Sequence, residues 1–266
     1  MPPHKLQDQN YLSEQYKDAS NLKARIALHE QFSTNKQGLM PWMFAQFYLP
    51  AQANILTVGS GPGTLWQENQ YQIPAGWQIT FTDISPGMVA EAEASLGANK
   101  QFRFKVADAQ ALPFHDAQFD AVMAHFMLYH VPNRAQALAE LARVLRPGGR
   151  LFAMTAGRSH LREIWALVEE FDPAAKHEWE MIPFRLDNGA AELEAHFSQV
   201  EQHRYEDALL VTEKVPLVAY ILSGMLGETV RPRLAAFDAF IAARLARDGV
   251  IHIQKEIGMF IGKRAA

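Results

Sequence analysis

The chain has 266 residues, 48% hydrophobic and 20% charged, with a net charge of −4; this supports one large α/β domain, or a domain with a lid, and excludes a disordered chain. Acidic and basic residues are interspersed, and no basic stripe is present to follow a phosphate backbone, so nucleic acid is not an expected partner. The absence of cysteine excludes disulfides, thiolate metal sites and a cysteine nucleophile.

Met1–Asn10 has no apolar leader run and no segment approaches the ~20 apolar residues of a membrane span, so a cytoplasmic protein with no membrane partner is expected. No H-x-x-x-H or H-x-H spacing is present, and no metal site is assigned. From Asn10 to Phe32, apolar positions at Tyr11, Leu12, Tyr16, Leu22, Ile26, Leu28 and Phe32 recur at helical intervals. They predict one or two helices, broken near Asp18–Asn21 and recapped by Ser20 or Asn21. Pro41 opens a further short helix to Phe47, with Trp42 and Phe44 on its apolar face.

The run Ile55-Leu56-Thr57-Val58 then ends in Gly59-Ser60-Gly61-Pro62-Gly63. A strand feeding a turn with glycine at alternate positions marks backbone built for φ > 0 or close ligand approach. A dinucleotide-binding turn needs G-x-G-x-x-G, whose third glycine would replace Thr64; the spacing here is G-x-G-x-G. Gln78–Asp83 alternates as the next strand and closes on an acid. In a parallel sheet such a strand end faces the ligand crevice, where a carboxylate accepts hydrogen bonds from ribose hydroxyls. Ser85-Pro86 caps a helix through Met88 to Leu96. Phe102–Val106 is a third strand followed by Ala107-Asp108-Ala109, and Ala121–Ala124 a fourth, followed by His125 and Tyr129-His130. A helix over Asn133–Leu145 stops at Arg146-Pro147-Gly148-Gly149, and Arg150–Thr155 is the fifth strand. Beyond it the pattern predicts helices over Arg158–Phe171 and Ala190–Phe197 and a strand over Val200–Val211. Helices follow over Val215–Leu226 and Arg231–Arg247, then a last strand over Ile251–Ile261.

The ordered set of glycine loop, Asp83, Asp108, Phe119-Asp120 and Leu145-Arg146-Pro147-Gly148-Gly149 resembles the class I S-adenosylmethionine (SAM) dependent methyltransferases, in their ubiquinone-biosynthesis-like, small-molecule branch (methyltransferase type 11). The resemblance covers Ile55 to Thr155. It implies a Rossmann-like α/β fold: a seven-stranded, mostly parallel sheet with helices on both faces, an antiparallel last strand and a helical lid. The expected division is an N-terminal helical lid segment at 1–50, a SAM-binding core at 51–157 and a helical insertion at 158–190. The rest of the sheet follows at 191–266, carrying a second helical insertion at 213–248. Carried over residue by residue, the family's cofactor contacts fall on Thr57, Gly59, Ser60, Gly61, Gly63, Asp83 (ribose), Ile84 and Met88 (adenine face), and Asp108 and Ala109 (adenine edge), with His125, Arg25 and Tyr16 nearby. Arg25 and His29 are placed to meet the methionine carboxylate, arginine being able to do so bidentately.

Two departures bear on chemistry. Relatives carry Asp or Glu two residues before the first glycine, next to the cofactor's ammonium; here Thr57 supplies no charge, and charge-assisted bonds are about twice as strong as neutral ones. Where relatives frequently carry Cys, this chain has Ser60. Methyl transfer from a sulfonium needs mainly alignment and exclusion of water, with at most one proton removed. For that proton the candidates are His130, then Tyr129 and His125, since a neutral imidazole accepts a proton at physiological pH. The expectation is methyl transfer to an O, N or C atom of a small-molecule acceptor, with SAM as cofactor and S-adenosylhomocysteine as product; a homodimer stays open. Two alternatives stand beside it: a SAM-fold enzyme that binds SAM without methyl transfer (pericyclase- or decarboxylase-like), and an inactive SAM-binding partner protein. The pre-strand helices through Phe32 are expected to act as a mobile lid separable from the sheet core.

Overall fold

The computed structural model describes residues 5–15, 17, 20–175 and 182–265. Seven strands form one sheet: β1 (Gln52–Val58), β2 (Gly76–Asp83), β3 (Phe102–Val106), β4 (Phe119–His125), β5 (Leu145–Ala156), β6 (Ser198–Val211) and β7 (Ile251–Lys263). Their order is β3-β2-β1-β4-β5-β7-β6, with β1 to β5 parallel and β7 antiparallel to both of its neighbours. The expected fold class is therefore present, including the reversed last strand. Order reverses at β1 and β4, the point where an open α/β sheet forms its ligand crevice.

The inner strands bury both faces, so they read as apolar runs in which alternate residues serve different cores. Leu56, Val58, Val122 and Ala124 pack with α6 (Arg134–Val144) through Leu138 and Leu141, and with Phe184 and Phe197. Ile55, Ala121, Met123 and Phe152 face the other way, against α3 (Leu39–Ala45) and α4 (Thr64–Glu68), where Trp66, Trp77, Phe47 and Phe81 fill the space. Helix α5 (Pro86–Leu96) is capped by the Ser85 side chain, which accepts from the Met88 amide at 3.3 Å. Between Phe119↔Leu145 and Ala121↔Arg150 the register of β4 and β5 slips. Arg146–Gly149 is a bulge in β5, with Gly148 at φ 77.

A third core lies above the sheet's far end. It joins α2 (Ser20–Phe32) to α7 (Arg162–Phe171), α9 (Lys214–Leu222), α10 (Leu226–Val230) and α11 (Leu234–Asp248) through Leu28, Phe32, Ile164, Leu217, Ile221 and Phe237. Helix α1 (Gln9–Gln15) precedes α2 and α8 (Gly189–Glu194) precedes β6. Leu28 is fully buried and Phe32 nearly so, so α2 is built into the core of the insertions. That differs from a helix separable from the rest, because its apolar partners come from sequence almost 200 residues away. Helix α7 starts at Arg162, four residues later than the periodicity suggested: residues 157–161 turn back onto β7 through Gly157 N to Glu256 O (2.7 Å) and Leu161 N to Gln254 O (2.9 Å). The helix predicted over Arg231–Arg247 is α11, which starts three residues later at Leu234, because Arg231–Arg233, with Pro232, forms a 3-10 turn that separates α10 from α11.

Candidate functional site

A cavity of about 1160 Å³ runs along the carboxyl ends of the strands, roofed by α1, α2, α7 and the α9–α10 turn. Its floor on the β1/β2 side is the glycine loop. Gly59, Gly61 and Gly63 all have positive φ (62, 54 and 79). A Cβ on Gly59 would stand 2.8 Å from Met127 Cβ, so the loop requires glycine for both conformation and space. The Ser60 amide donates to Thr82 O at 2.9 Å, which ties the loop to the end of β2.

Asp83 closes β2 beside that loop. Its Oδ2 accepts the Gly61 amide at 3.0 Å and its Oδ1 the Ser85 amide at 2.9 Å. Burial pushes its carboxyl up, opposed by the amides of Ser85, Gly61 and Ile84. Ile84 lines the cavity with 54% of its surface exposed, an apolar face open to a ligand. Asp108 lies on the same wall after β3; its Oδ1 accepts the Gln110 amide at 2.8 Å, and both oxygens accept from Gln110 Nε2 at 3.1 Å. Gln110 Oε1 in turn accepts the Asn133 amide at the start of α6 (2.9 Å). Sequence reasoning did not single out Gln110, because nothing in its local pattern distinguishes it from a loop glutamine.

Thr57, Gly59, Ser60, Gly61, Asp83, Ile84, Met88, Asp108, Ala109, His125, Tyr129, His130 and Arg25 are all brought to this one cavity. Gly63 stands just behind the wall, against Leu96 and Ala92, and Tyr16 lies outside the described residues. No acid replaces Thr57 on β1, but Glu30 of α2 and Glu68 of α4 both line the cavity. Burial, and then the Glu30 charge, push the Glu68 carboxyl up.

The three candidates for proton transfer differ. His130 Nδ1 is 2.9 Å from the Leu6 carbonyl; a carbonyl only accepts, so Nδ1 carries the proton and Nε2 is the basic nitrogen of the neutral ring. Burial lowers His130 to about 4, with the Leu6 bond opposing and the Arg25 charge adding. Tyr129 packs edge-on to it, ring centroids 4.5 Å apart. His125, buried and lowered to about 3 by desolvation, stacks on Phe47 at 5.9 Å with an interplanar angle of 2°. Its Nε2 has no partner among the described residues. Such a ring is a wall, with little basicity left to use. Arg25 is committed to the roof, with Nε on Ser223 Oγ (3.1 Å) and Nη2 on Ser223 O (2.5 Å) and Gln15 Oε1 (2.7 Å). His29 stands apart from it, against Tyr220 and near Lys255.

Comparison with known proteins agrees with this geometry. The methyltransferase-domain family profile matches residues 56–153, the segment that carries the glycine loop, Asp83 and Asp108. The chain is similar to the ubiquinone/menaquinone biosynthesis C-methyltransferase of Hahella chejuensis, 32% identical over 130 residues, 48% of each protein. It is also similar to the malonyl-[acyl-carrier protein] O-methyltransferase of Enterobacter lignolyticus, 35% identical over 130 residues, covering 46% of this chain and 48% of that protein. The match thus spans about half the length of these curated relatives. Among solved structures, phosphoethanolamine N-methyltransferase 2 of Haemonchus contortus, in complex with S-adenosyl-L-methionine, superposes with a TM-score of 0.60. It is 14% identical, over 100% of this chain and 61% of that one. No helix among the described residues is long and apolar enough to cross a membrane.

Proposed function

We propose that the chain is a SAM-dependent methyltransferase acting on an O, N or C atom of a small-molecule acceptor, releasing S-adenosylhomocysteine. The observation that carries this reading is Asp83, an ionisable group held by two amides at the open end of β2 beside a loop that only glycine can form. A carboxylate so fixed accepts a pair of ribose hydroxyls without having to reorganise. Ile84 offers its open apolar face to adenine, and Asp108 with the Ala109 amide meets the ring edge. For the adenine amino group to use Asp108, it takes the place of Gln110 Nε2.

When bound, the cofactor supplies an electrophilic methyl group on a positively charged sulfur. The chain has to hold the acceptor in line with it and keep water out, which is the work of the roof formed by α1, α2 and the α9–α10 turn. Glu30 and Glu68 provide the negative charge that Thr57 does not, across the same cavity. Where the acceptor must lose a proton, His130 takes it on Nε2, its ring oriented by the Leu6 carbonyl. A group lowered to about 4 suits an acceptor whose proton is already acidic, or one whose proton leaves after the methyl arrives. The non-methylating alternatives draw on Thr57 alone and gain nothing from the cavity.

Calorimetric titration with S-adenosylhomocysteine, followed by mass spectrometry of a metabolite library incubated with protein and SAM, tests the reading. Binding and a mass gain of one methylene unit on an acceptor are expected. No binding at millimolar ligand removes it, and binding without any methylated product moves the chain to the non-methylating class.

A further inference from the structure

Far from Asp83, the cavity ends in a polar cluster for which methyl transfer itself has no use. Sheet order fixes its place: from β2 the strands run β1, β4, β5, β7, so Lys255 on β7 stands four strands away, roughly 19 Å at about 4.8 Å per strand. Lys255 is directly opposite Asp207 on β6, and Nζ makes an ion pair with Asp207 Oδ2, the two side chains 2% and 0% exposed. Ala156, the last residue of β5, pairs with Ile257, so Lys255 projects past the carboxyl end of β5, on the crevice side. In the alternation Ile251, Ile253, Lys255, Ile257 the lysine occupies an inward position; that was visible in the sequence as a charge where the strand's period asks for an apolar residue.

Asp207 is saturated. Besides Lys255 it accepts from Ser33 Oγ (2.6 Å), the Thr34 amide and hydroxyl (both 3.1 Å), and the Asn35 (3.0 Å) and Ala208 (2.8 Å) amides. The ammonium is not: of its three N–H groups, Asp207 takes one, the Tyr205 ring lies 5.3 Å from Nζ, and no second hydrogen-bond acceptor meets it among the described residues. Beside it, His160 Nδ1 accepts the Glu256 amide at 3.2 Å, which leaves the ring proton on Nε2, a further donor. His29 Nδ1, on the same stretch of wall, is buried without a hydrogen-bond partner among the described residues. Burial, then His29 and Lys255, keep His160 well below its ordinary value; burial and the Lys255 charge lower His29 to about 3, with Asp207 opposing, so both rings are neutral at physiological pH. Trp165, Tyr220 and Ile257 supply the surrounding apolar wall.

A cation would sit against the charge of the Lys255 ammonium, and an apolar group would leave the donors desolvated and unmet, which costs more than a typical hydrogen bond contributes. A carboxylate brings two oxygens to two donor groups. We infer that this cluster is the anchoring subsite of the acceptor chamber, and that the acceptor is an apolar small molecule carrying a carboxylate that seats on the Lys255 ammonium and the His160 Nε2–H. The carboxylate is an anchor and not the methylated atom, because β7 lies two strands beyond the end of β4 where His130 follows. The word acceptor rests on the methyltransferase reading; the anion preference of the subsite does not.

Cinnamate, 4-phenylbutanoate and indole-3-acetate, each beside its primary amide, are the probes, titrated calorimetrically with S-adenosylhomocysteine titrated separately. At least one acid is expected to bind about tenfold or more tightly than its amide. That preference should vanish in His160→Phe, return in part in His160→Gln, and vanish in Lys255→Met/Asp207→Asn, where neither charge is left alone. S-adenosylhomocysteine affinity should stay unchanged throughout. If none of the acids binds the unsubstituted protein, if acid and amide bind alike, or if folded His160→Phe keeps the preference, the inference is overturned. Should the double variant not fold, the two His160 variants decide. Failure of S-adenosylhomocysteine to bind would sink the methyltransferase reading and leave the acid-against-amide result standing on its own.

Discussion

At the scale of a residue, the site turns on Asp83. Its two oxygens are each held by an amide, from Gly61 and Ser85, and burial makes its charge costly until a ligand's hydroxyls arrive. Asp83→Asn keeps shape but has one acceptor oxygen for two amides and no charge for the ribose. Binding of S-adenosylhomocysteine is expected to weaken by about 1.5–3 kcal/mol, the usual range for bonds to charged groups; unchanged affinity by calorimetry would take Asp83 out of the site. Thr57 is the complementary case. It is buried on β1 at the cavity wall, and Thr57→Glu is expected to tighten S-adenosylhomocysteine severalfold by adding a carboxylate near its ammonium. A tenfold loss in a variant that remains folded by circular dichroism would show that the pocket has been shaped around the smaller side chain.

Among the elements, α1 and α2 part company. The 3-10 turn Lys5–Gln7, which leads into α1, reaches the loop after β4, with the Leu6 carbonyl on His130 Nδ1 and Gln7 Nε2 on the Val131 carbonyl (3.1 Å). Helix α2 contributes Leu28 and Phe32 to the third core. Deleting residues 1–15 should therefore leave thermal unfolding nearly in place while lowering turnover, since His130 loses the bond that orients it. Deleting 1–32 should lower the midpoint strongly, because removing two buried apolar side chains of this kind costs about 2–5 kcal/mol each. Equal midpoints for the two truncations would contradict this division. The same contrast shows what the sequence disclosed. Local signals were enough for the glycine loop, the Ser85 cap, the acids at the ends of β2 and β3, and the alternating strands, because each is written in a few adjacent residues. The burial of α2 and the bond from Leu6 to His130 depend on contacts more than 100 residues apart, and no local period encodes them. Helix α7 began late because Gly157 and Leu161 turn back onto β7, a tertiary cause that helical spacing alone does not reveal.

For the whole molecule, the cavity is the seam between two cores of the sheet and a third core above it, and that seam is lined by histidines held neutral. His29 and His125 are lowered to about 3, His130 to about 4 and His160 well below its ordinary value, burial being the largest cause in each. In the unfolded chain all four titrate near 6.5. As pH falls below 6.5 the unfolded state takes up protons that the native state refuses, until about pH 4 for His130 and about pH 3 for His29 and His125. Their contribution to stability is thus fully present above 6.5 and is lost on acidification through that window. At pH 5 His29, His125 and His130 have each withdrawn on the order of 2 kcal/mol, a sum comparable with the 5–15 kcal/mol that holds a typical domain folded, and His160 adds in the same direction. Denaturant midpoints measured from pH 7.5 to 5.0 should fall steeply below 6.5, with proton uptake on unfolding well above one. His125→Phe should flatten that slope by about one proton and raise the midpoint at pH 5.5, since the ring keeps its stacking on Phe47 and gives up a nitrogen that had no partner. A midpoint flat between pH 7 and 5.5 would mean that these rings are hydrated in solution, and the lowering by burial would have to be abandoned.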